Sequence, residues 1–205
     1  VLNSDLVDIF VCGDVDPEQI EALIQEKFPI HTFKKPSDSL VIEQTDFRKR
    51  SQIVTEKRDI KQSRLIVGCK LLPMTEFEQK YTSKLYSYIL GGSGNSLLFK
   101  TVREKHSLCY TISSNVLPTK GYLKIASGLD GDQSKKAVTL IKKAMKDLHD
   151  GNFESSQIED FKMITKTLRK EIFDSAINTI DFYQLKEYTG IDDYEVMEKE
   201  IEKLD

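Results

Sequence analysis

The sequence predicts an α+β fold: a mostly antiparallel sheet with helices packed on one of its faces. Three observations carry this expectation. Segments with period-two apolar alternation follow one another without helix-length stretches between them, as in the pair ending at Leu117 and starting at Leu123. Helical periodicity dominates the last third, where Ala137, Leu140, Ile141, Ala144, Met145 and Leu148 recur at i, i+3 and i+4. The strand and helix signals do not alternate regularly, which argues against a doubly wound parallel sheet.

From the N-terminus, Asp5 to Gly13 is apolar and β-rich and reads as a strand. Asp16 then caps a helix, Pro17 suits its first turn, and Ile20, Leu23, Ile24 and Phe28 make its apolar face. Pro29 to Arg50 is polar and aperiodic and reads as a surface connection tolerant of insertions. Ser51 to Lys57 reads as a second strand, and Leu65, Val67, Cys69 and Leu71 as a third with one buried face, ended by Pro73. Thr75 caps a helix with the face Phe77, Tyr81, Leu85, Tyr88 and Ile89. Gly91-Gly92-Ser93-Gly94 breaks it. A short helix over 96–105 precedes a strand in which Leu108, Tyr110 and Ile112 share a face. Pro118-Thr119-Lys120-Gly121 turns the chain into a return strand carrying Leu123, Ile125, Ser127 and Leu129. After the helix ending near Asp150-Gly151, Ile158, Phe161, Ile164, Leu168 and Ile172 mark a longer one. Weaker helical signals follow at 181–188 and 194–204.

The chain of 205 residues suits a single lobe spanning 1–205. With 30 basic and 33 acidic residues its net charge of −3 gives no electrostatic basis for binding nucleic acid. No run of about eighteen apolar residues offers a membrane span, and Val1 to Asp5 has neither the basic start nor the apolar run of a leader. The missing initiator Met points to a fragment of a longer chain. Cys12, Cys69 and Cys109 are odd in number, fit no metal or redox spacing, and each sits in an apolar run. They read as small buried thiols of a cytoplasmic protein.

Hydrolytic signals are scarce. His31, His106 and His149 lie far apart, with no H-x-x-E-H or H-E-x-x-H, so no metal or cofactor is expected in this chain. There is no G-x-S-x-G elbow, and Cys109 near His106 reads as a strand thiol. The Gly91–Gly94 loop lacks the Gly-Lys-Ser/Thr of a phosphate loop and reads as a hinge whose glycines would let a peptide backbone approach. Arg103 at a helix end and Tyr110 on the next strand admit two readings. They could face one groove, where a guanidinium and a phenol would donate to peptide carbonyls or to an oxyanion. Alternatively, Arg103 pairs with a surface acid and Tyr110 belongs to the core.

The segment LGGSGNSLLFKTVREKHSLCY resembles the second-domain signature of insulinase-type (M16, pitrilysin-like) metallopeptidases. It does so through Leu90-Gly91-Gly92, Ser96, Leu98-Phe99, Arg103-Glu104-Lys105, Leu108 and Tyr110. Gly13-Asp14-Val15-Asp16-Pro17 resembles the strand-to-helix turn at the start of that domain. Two positions depart from the pattern: Val102 for Leu, and Ser107 for Gly just before the strand. The resemblance implies the zinc-free lobe of a clam-shell peptidase, close to bacterial processing-peptidase-like proteins. A homologous half or subunit would hold zinc through H-x-x-E-H. It further implies that Arg103 binds substrate backbone and that Tyr110 contacts the scissile carbonyl or oxyanion; Gly91 and Gly92, read above as letting a peptide backbone approach, complete the expected peptide site. The same resemblance also covers zinc-free subunits that serve as scaffolds or interaction partners.

Overall fold

The computed structural model describes residues 7–28 and 50–205. The chain divides into two compact units, Val1–Ile42 with Lys166–Val196, and Glu43–Thr165 with Met197–Asp205.

The second unit holds the sheet. Strands β1 (Ser63–Lys70), β2 (Cys109–Leu117) and β3 (Tyr122–Leu129) pair in the order β1-β3-β2, antiparallel throughout. β2 and β3 form a hairpin. Pro118–Lys120 makes a single 3₁₀ turn, and Gly121 closes it with φ 65°, a left-handed conformation natural to glycine. The buried face of β3 is the one its alternation predicts: Leu123, Ile125 and Leu129 are at most 1% exposed.

Helices cover that face. α2 runs over 76–92, with π-helical Glu78–Thr82 and Tyr88–Gly92 either side of α-helical Ser83–Ser87. Its start is a capping box. Glu78 N–H donates to Thr75 Oγ1 (3.3 Å), and Thr75 N–H donates to Glu78 Oε2 (2.7 Å), which holds the Glu78 carboxyl below its ordinary range. Tyr81, Leu85, Ile89 and Leu90 are buried, as helical spacing requires. α3 follows over 97–105, with Leu98 and Val102 fully buried. The helix after the hairpin, α4 (Ser134–His149), buries Ala137, Ile141, Ala144 and Leu148 and contacts both α2 and α3. In α5 (Ser156–Lys170), Phe161 meets the Tyr88 ring of α2 at 5.4 Å. The unit's last residues bury Met197, Ile201 and Leu204.

In the first unit, α1 (Pro17–Lys27) starts at an Asp16 cap that accepts from Glu18 N–H at 2.9 Å. None of its residues is buried: Leu23 is 49% exposed although it belongs to the apolar face. α6 (Ala176–Thr189) ends at left-handed Gly190; the next helix, α7 (Tyr194–Glu202), begins in this unit and from Met197 onward belongs to the second. Phe173 stacks edge-on against Phe182 (5.8 Å) and Tyr194 (6.1 Å), and Tyr188 Oη donates to Asp8 Oδ2 (2.8 Å).

Four expectations require correction. Residues 7–13 and 51–57 form no strand paired with another among the described residues. Ile53 and Val54 are 91% and 80% exposed, so β-propensity without a ladder leaves an uncovered chain. Tyr110 does not share the face of Leu108 and Ile112, being 61% exposed where they are buried. Cys12 is exposed and Cys69 half-buried, so burial holds for Cys109 alone. On the longer helix, Ile164 and Leu168 remain 39% and 58% exposed. The polar connection read over Pro29–Arg50 falls, up to residue 49, outside the described residues, as does His31.

Candidate functional site

The site region is built by the junction of α3 with β2. α3 ends in a left-handed cap. Ser107, with φ 49°, donates its N–H to Arg103 O (3.0 Å), and Leu108 N–H donates to Val102 O (3.1 Å). Ser107 is the single non-glycine residue with positive φ among the described residues, and it stands where the resembling family carries Gly. An L-residue pays for this conformation with about 1–2 kcal/mol of steric strain. In return the chain reverses within two residues and enters β2.

The first turn of β2 carries a bulge. Cys109 pairs with Leu129 and Thr111 with Gly128, so Tyr110 is the extra residue opposite that step. Cys109 stays buried, and Tyr110 and Thr111 both turn to solvent. Ser127 Oγ donates across the bulge to Thr111 O at 3.0 Å and fixes its geometry. Burial pushes the Cys109 thiol above its ordinary pKa. The Ser127 hydroxyl and the Arg103 charge oppose this without reversing it, so Cys109 is no activated nucleophile. Arg103 lies in the last turn of α3, seven residues before Tyr110.

Arg103 is exposed, and its guanidinium carbon lies 4.5 Å from the centre of the Phe99 ring one turn back. It has no carboxylate partner among the described residues. Neither half of the simpler reading, an Arg103–acid pair and a core Tyr110, matches these positions. What the corner offers chemically is a planar cluster of N–H donors and a phenol, both free to meet acceptor oxygens.

Gly91 and Gly92 lie elsewhere. Gly91 is buried against the other face of β2. A Cβ there would stand 2.7 Å from Ser114 N, 2.9 Å from Ser114 Oγ and 3.0 Å from Leu98 Cδ1. Its missing side chain lets α2 close on the sheet, where Ser114 Oγ donates to Ser87 O at 2.6 Å. Gly92 is exposed at the helix end. Along β2, Ser114 is four residues from Tyr110, about 13 Å. Gly91 thus packs against the covered side of β2, whereas the Arg103 and Tyr110 side chains are exposed. The loop after the glycines is tethered where a hinge was expected. Ser93 O accepts from Ser96 Oγ (2.6 Å) and Ser96 N–H (3.2 Å), and Asn95 O accepts from Gln157 Nε2 (3.0 Å). Gln157 is only 2% exposed, a buried polar clamp that its place beside Ile158 in an apolar helix gave no way to read.

Among the described residues no group of three or more His, Cys, Asp or Glu could hold a metal ion, and His106 and His149 sit far apart in sequence. The described residues do not fit a hydrolytic zinc, which needs about three protein ligands around one open position. No described helix is long and apolar enough to cross a membrane.

The family described as the peptidase M16 inactive domain matches residues 1–165, and the chain belongs to that family. It is 28% identical over 182 residues to a Bacillus subtilis protein described as "Probable inactive metalloprotease YmfF", covering 88% of this chain and 42% of that one. It is 26% identical over 162 residues to another B. subtilis protein, "Uncharacterized zinc protease YmxG", covering 78% and 38%. The crystal structure of a conserved protein from Enterococcus faecalis V583 superposes with a TM-score of 0.84 at 24% identity, over all of this chain and 48% of that one. The chain thus spans less than half the length of these relatives.

Proposed function

We propose that this chain is the substrate-binding lobe of an M16-type zinc peptidase. Arg103 holds the peptide backbone, Tyr110 contacts the reacting carbonyl, and zinc is supplied by a homologous half or subunit. The observation that carries this reading is Tyr110 itself. A large aromatic residue sits at a bulge that breaks the alternation of its strand and is left 61% exposed. Bulges recur where a sheet must aim one side chain at a site. Within the reading, Gly92 is the glycine whose exposed backbone can meet peptide, and Gly91 supports it by letting α2 pack on β2. The whole span 1–205 acts as one lobe. Three free cysteines support a reducing, cytoplasmic setting.

Two steps fall to this chain. Arg103 N–H groups donate to peptide carbonyls and fix the register of the bound segment. The Tyr110 hydroxyl donates to the oxygen on which charge develops, an interaction stronger in the transition state than before it. Metal polarisation of the carbonyl is the other half's contribution.

The test is a complex reconstituted from this chain and its zinc-bearing half. Tyr110→Phe, which removes only the hydroxyl, should lower kcat by roughly 10²–10³, the loss typical of one oxyanion donor. Unchanged turnover would refute the role. The chain alone should cleave nothing. A second reading, a zinc-free scaffold or interaction subunit, is favoured by the word "inactive" in the name of the YmfF relative. It stands if no zinc-bearing half co-purifies with the chain or precedes it in the same polypeptide.

A further inference from the structure

The solvent-facing side of the sheet has a composition unlike the rest of the surface. Pairing lines up Arg64, Gly128 and Thr111 in one row, then Ile66, Ala126 and Ser113, then Gly68, Lys124 and Asn115. The floor is small-residued. A Cβ on Gly128 would lie 3.1 Å from both Thr111 Oγ1 and Gln62 Nε2, whereas over Gly68 the space is open. Arg64 and Lys124 are exposed, and neither has an ion-pair or hydrogen-bond partner among the described residues. Lys70, in the last row, is a third cation. β1, β2 and β3 carry no Asp or Glu at all, although the chain has 33 of them. The carboxylates closest along the chain, Asp59, Glu104 and Asp130, lie outside the strands. The bulge delivers Tyr110 to one end of this face.

We infer that this face is a track for an extended peptide bearing carboxylate side chains, with Arg64 and Lys124 as the residues that select them. The inference rests on the reading of Tyr110 as a peptide contact and adds the class of substrate. Arg64 and Lys124 stand four residues apart along the strand direction, about 13 Å. An extended peptide places residues i and i+4 on one side at the same interval, so one acidic residue meets each cation. A chain of net charge −3 that keeps its carboxylates out of these strands repels acidic peptides elsewhere and accepts them here.

The experiment is fluorescence anisotropy on the 205-residue chain. It uses three β-branched peptides of one length, with Glu, Gln or Lys at positions i and i+4. The Glu peptide should bind about tenfold tighter than the Gln peptide, the sum expected of two exposed charge contacts, and the Lys peptide weakest. Rising ionic strength should erase the difference between Glu and Gln, a readout that needs no variant. The exposed double variant Arg64→Glu/Lys124→Glu should reverse the order with Tm unchanged. Equal binding of all three peptides, or a preference that survives the double variant, overturns the charge track and leaves peptide binding standing. Failure of every peptide to bind overturns both the track and the function proposed above. A Glu preference indifferent to Tyr110→Phe and Arg103→Ala supports the track and removes those residues from it.

Discussion

Along β2, the residues Ile112, Ser114 and Val116 are buried under α2, whereas Thr111, Ser113 and Asn115 one step away meet solvent. On the covered side each position is decided by packing. Leu123, Ile125, Leu98 and Val102 are closed off, and buried polar groups there find partners: the Ser87 and Ser114 hydroxyls stand 3.2 Å apart, and Ser127 Oγ donates to Thr111 O. On the open side packing constrains less: Ile66 is 65% exposed, and the Arg64 side chain is exposed without an ion-pair partner among the described residues. One face is constrained by the fold and the other is available for function. Substitutions should therefore separate cleanly, with stability lost on the first face and binding on the second.

The largest effect expected on this contrast is Leu98→Ala. Leu98 is fully buried between α3 and the α2 end, so truncation loses its transfer energy and leaves a cavity, a cost of about 2–5 kcal/mol by chemical denaturation. A cost below about 1 kcal/mol would mean that the covered face is loosely packed and that the contrast is overstated. Gly91→Ala comes next. The added methyl meets backbone at Ser114 N, which cannot swing away, so α2 must lift from β2 and stretch the Ser114–Ser87 bond. Overpacking of this kind costs about 1–3 kcal/mol. If Gly91→Ala is neutral in stability and instead weakens peptide binding, Gly91 belongs with the open face.

The covered face was legible in the sequence and the open one only in part. Helical spacing in 137–148 names the buried Ala137, Ile141, Ala144 and Leu148, with Leu140 and Met145 half-buried at the face's margin, and strand alternation names Leu123, Ile125, Ser127 and Leu129, because burial of one face is what imposes the period. The same β-rich composition misleads at 7–13 and 51–57, where propensity is present but no described strand pairs with the segment. It misleads again at Tyr110, because a bulge breaks the period and no single residue type announces one. A hint was available at Ser107, where the family pattern has Gly. A glycine just before a strand signals a left-handed turn, and the turn and the bulge together re-aim the strand start. Arg103 and Tyr110 came from family resemblance, since an exposed Arg and a strand Tyr are chemically unremarkable alone. Arg64 and Lys124 were invisible until the register put them on one face.

Ser107 also offers a smaller test, placed where the two faces meet. Glycine relieves the left-handed strain, about 1–2 kcal/mol, but adds unfolded-state entropy of about 0.5–1 kcal/mol. Ser107→Gly should therefore raise stability by about 0.5 kcal/mol, read as a small increase in the denaturation midpoint without a change in slope. A loss of stability would show that the Ser107 side chain does more than tolerate its turn.

The smallest stability change is expected at Arg103, and it sharpens the contrast most. The side chain is exposed and touches the protein through the Phe99 ring, at 4.5 Å. An exposed cation–π contact contributes about 0.5–1 kcal/mol, and the better helix propensity of Ala offsets part of it. Arg103→Ala should then cost about 0.5 kcal/mol or less by denaturation, while peptide binding by the same preparation weakens severalfold. Phe99→Leu serves as the control. It removes the ring under the guanidinium but keeps the charge, so it should leave peptide binding near its original strength. If Arg103→Ala costs as much stability as Leu98→Ala, the guanidinium is part of the packing, and the open face begins only beyond the helix end. If it costs neither stability nor binding, the charge at this corner has no role in holding peptide, and Tyr110 alone carries the site.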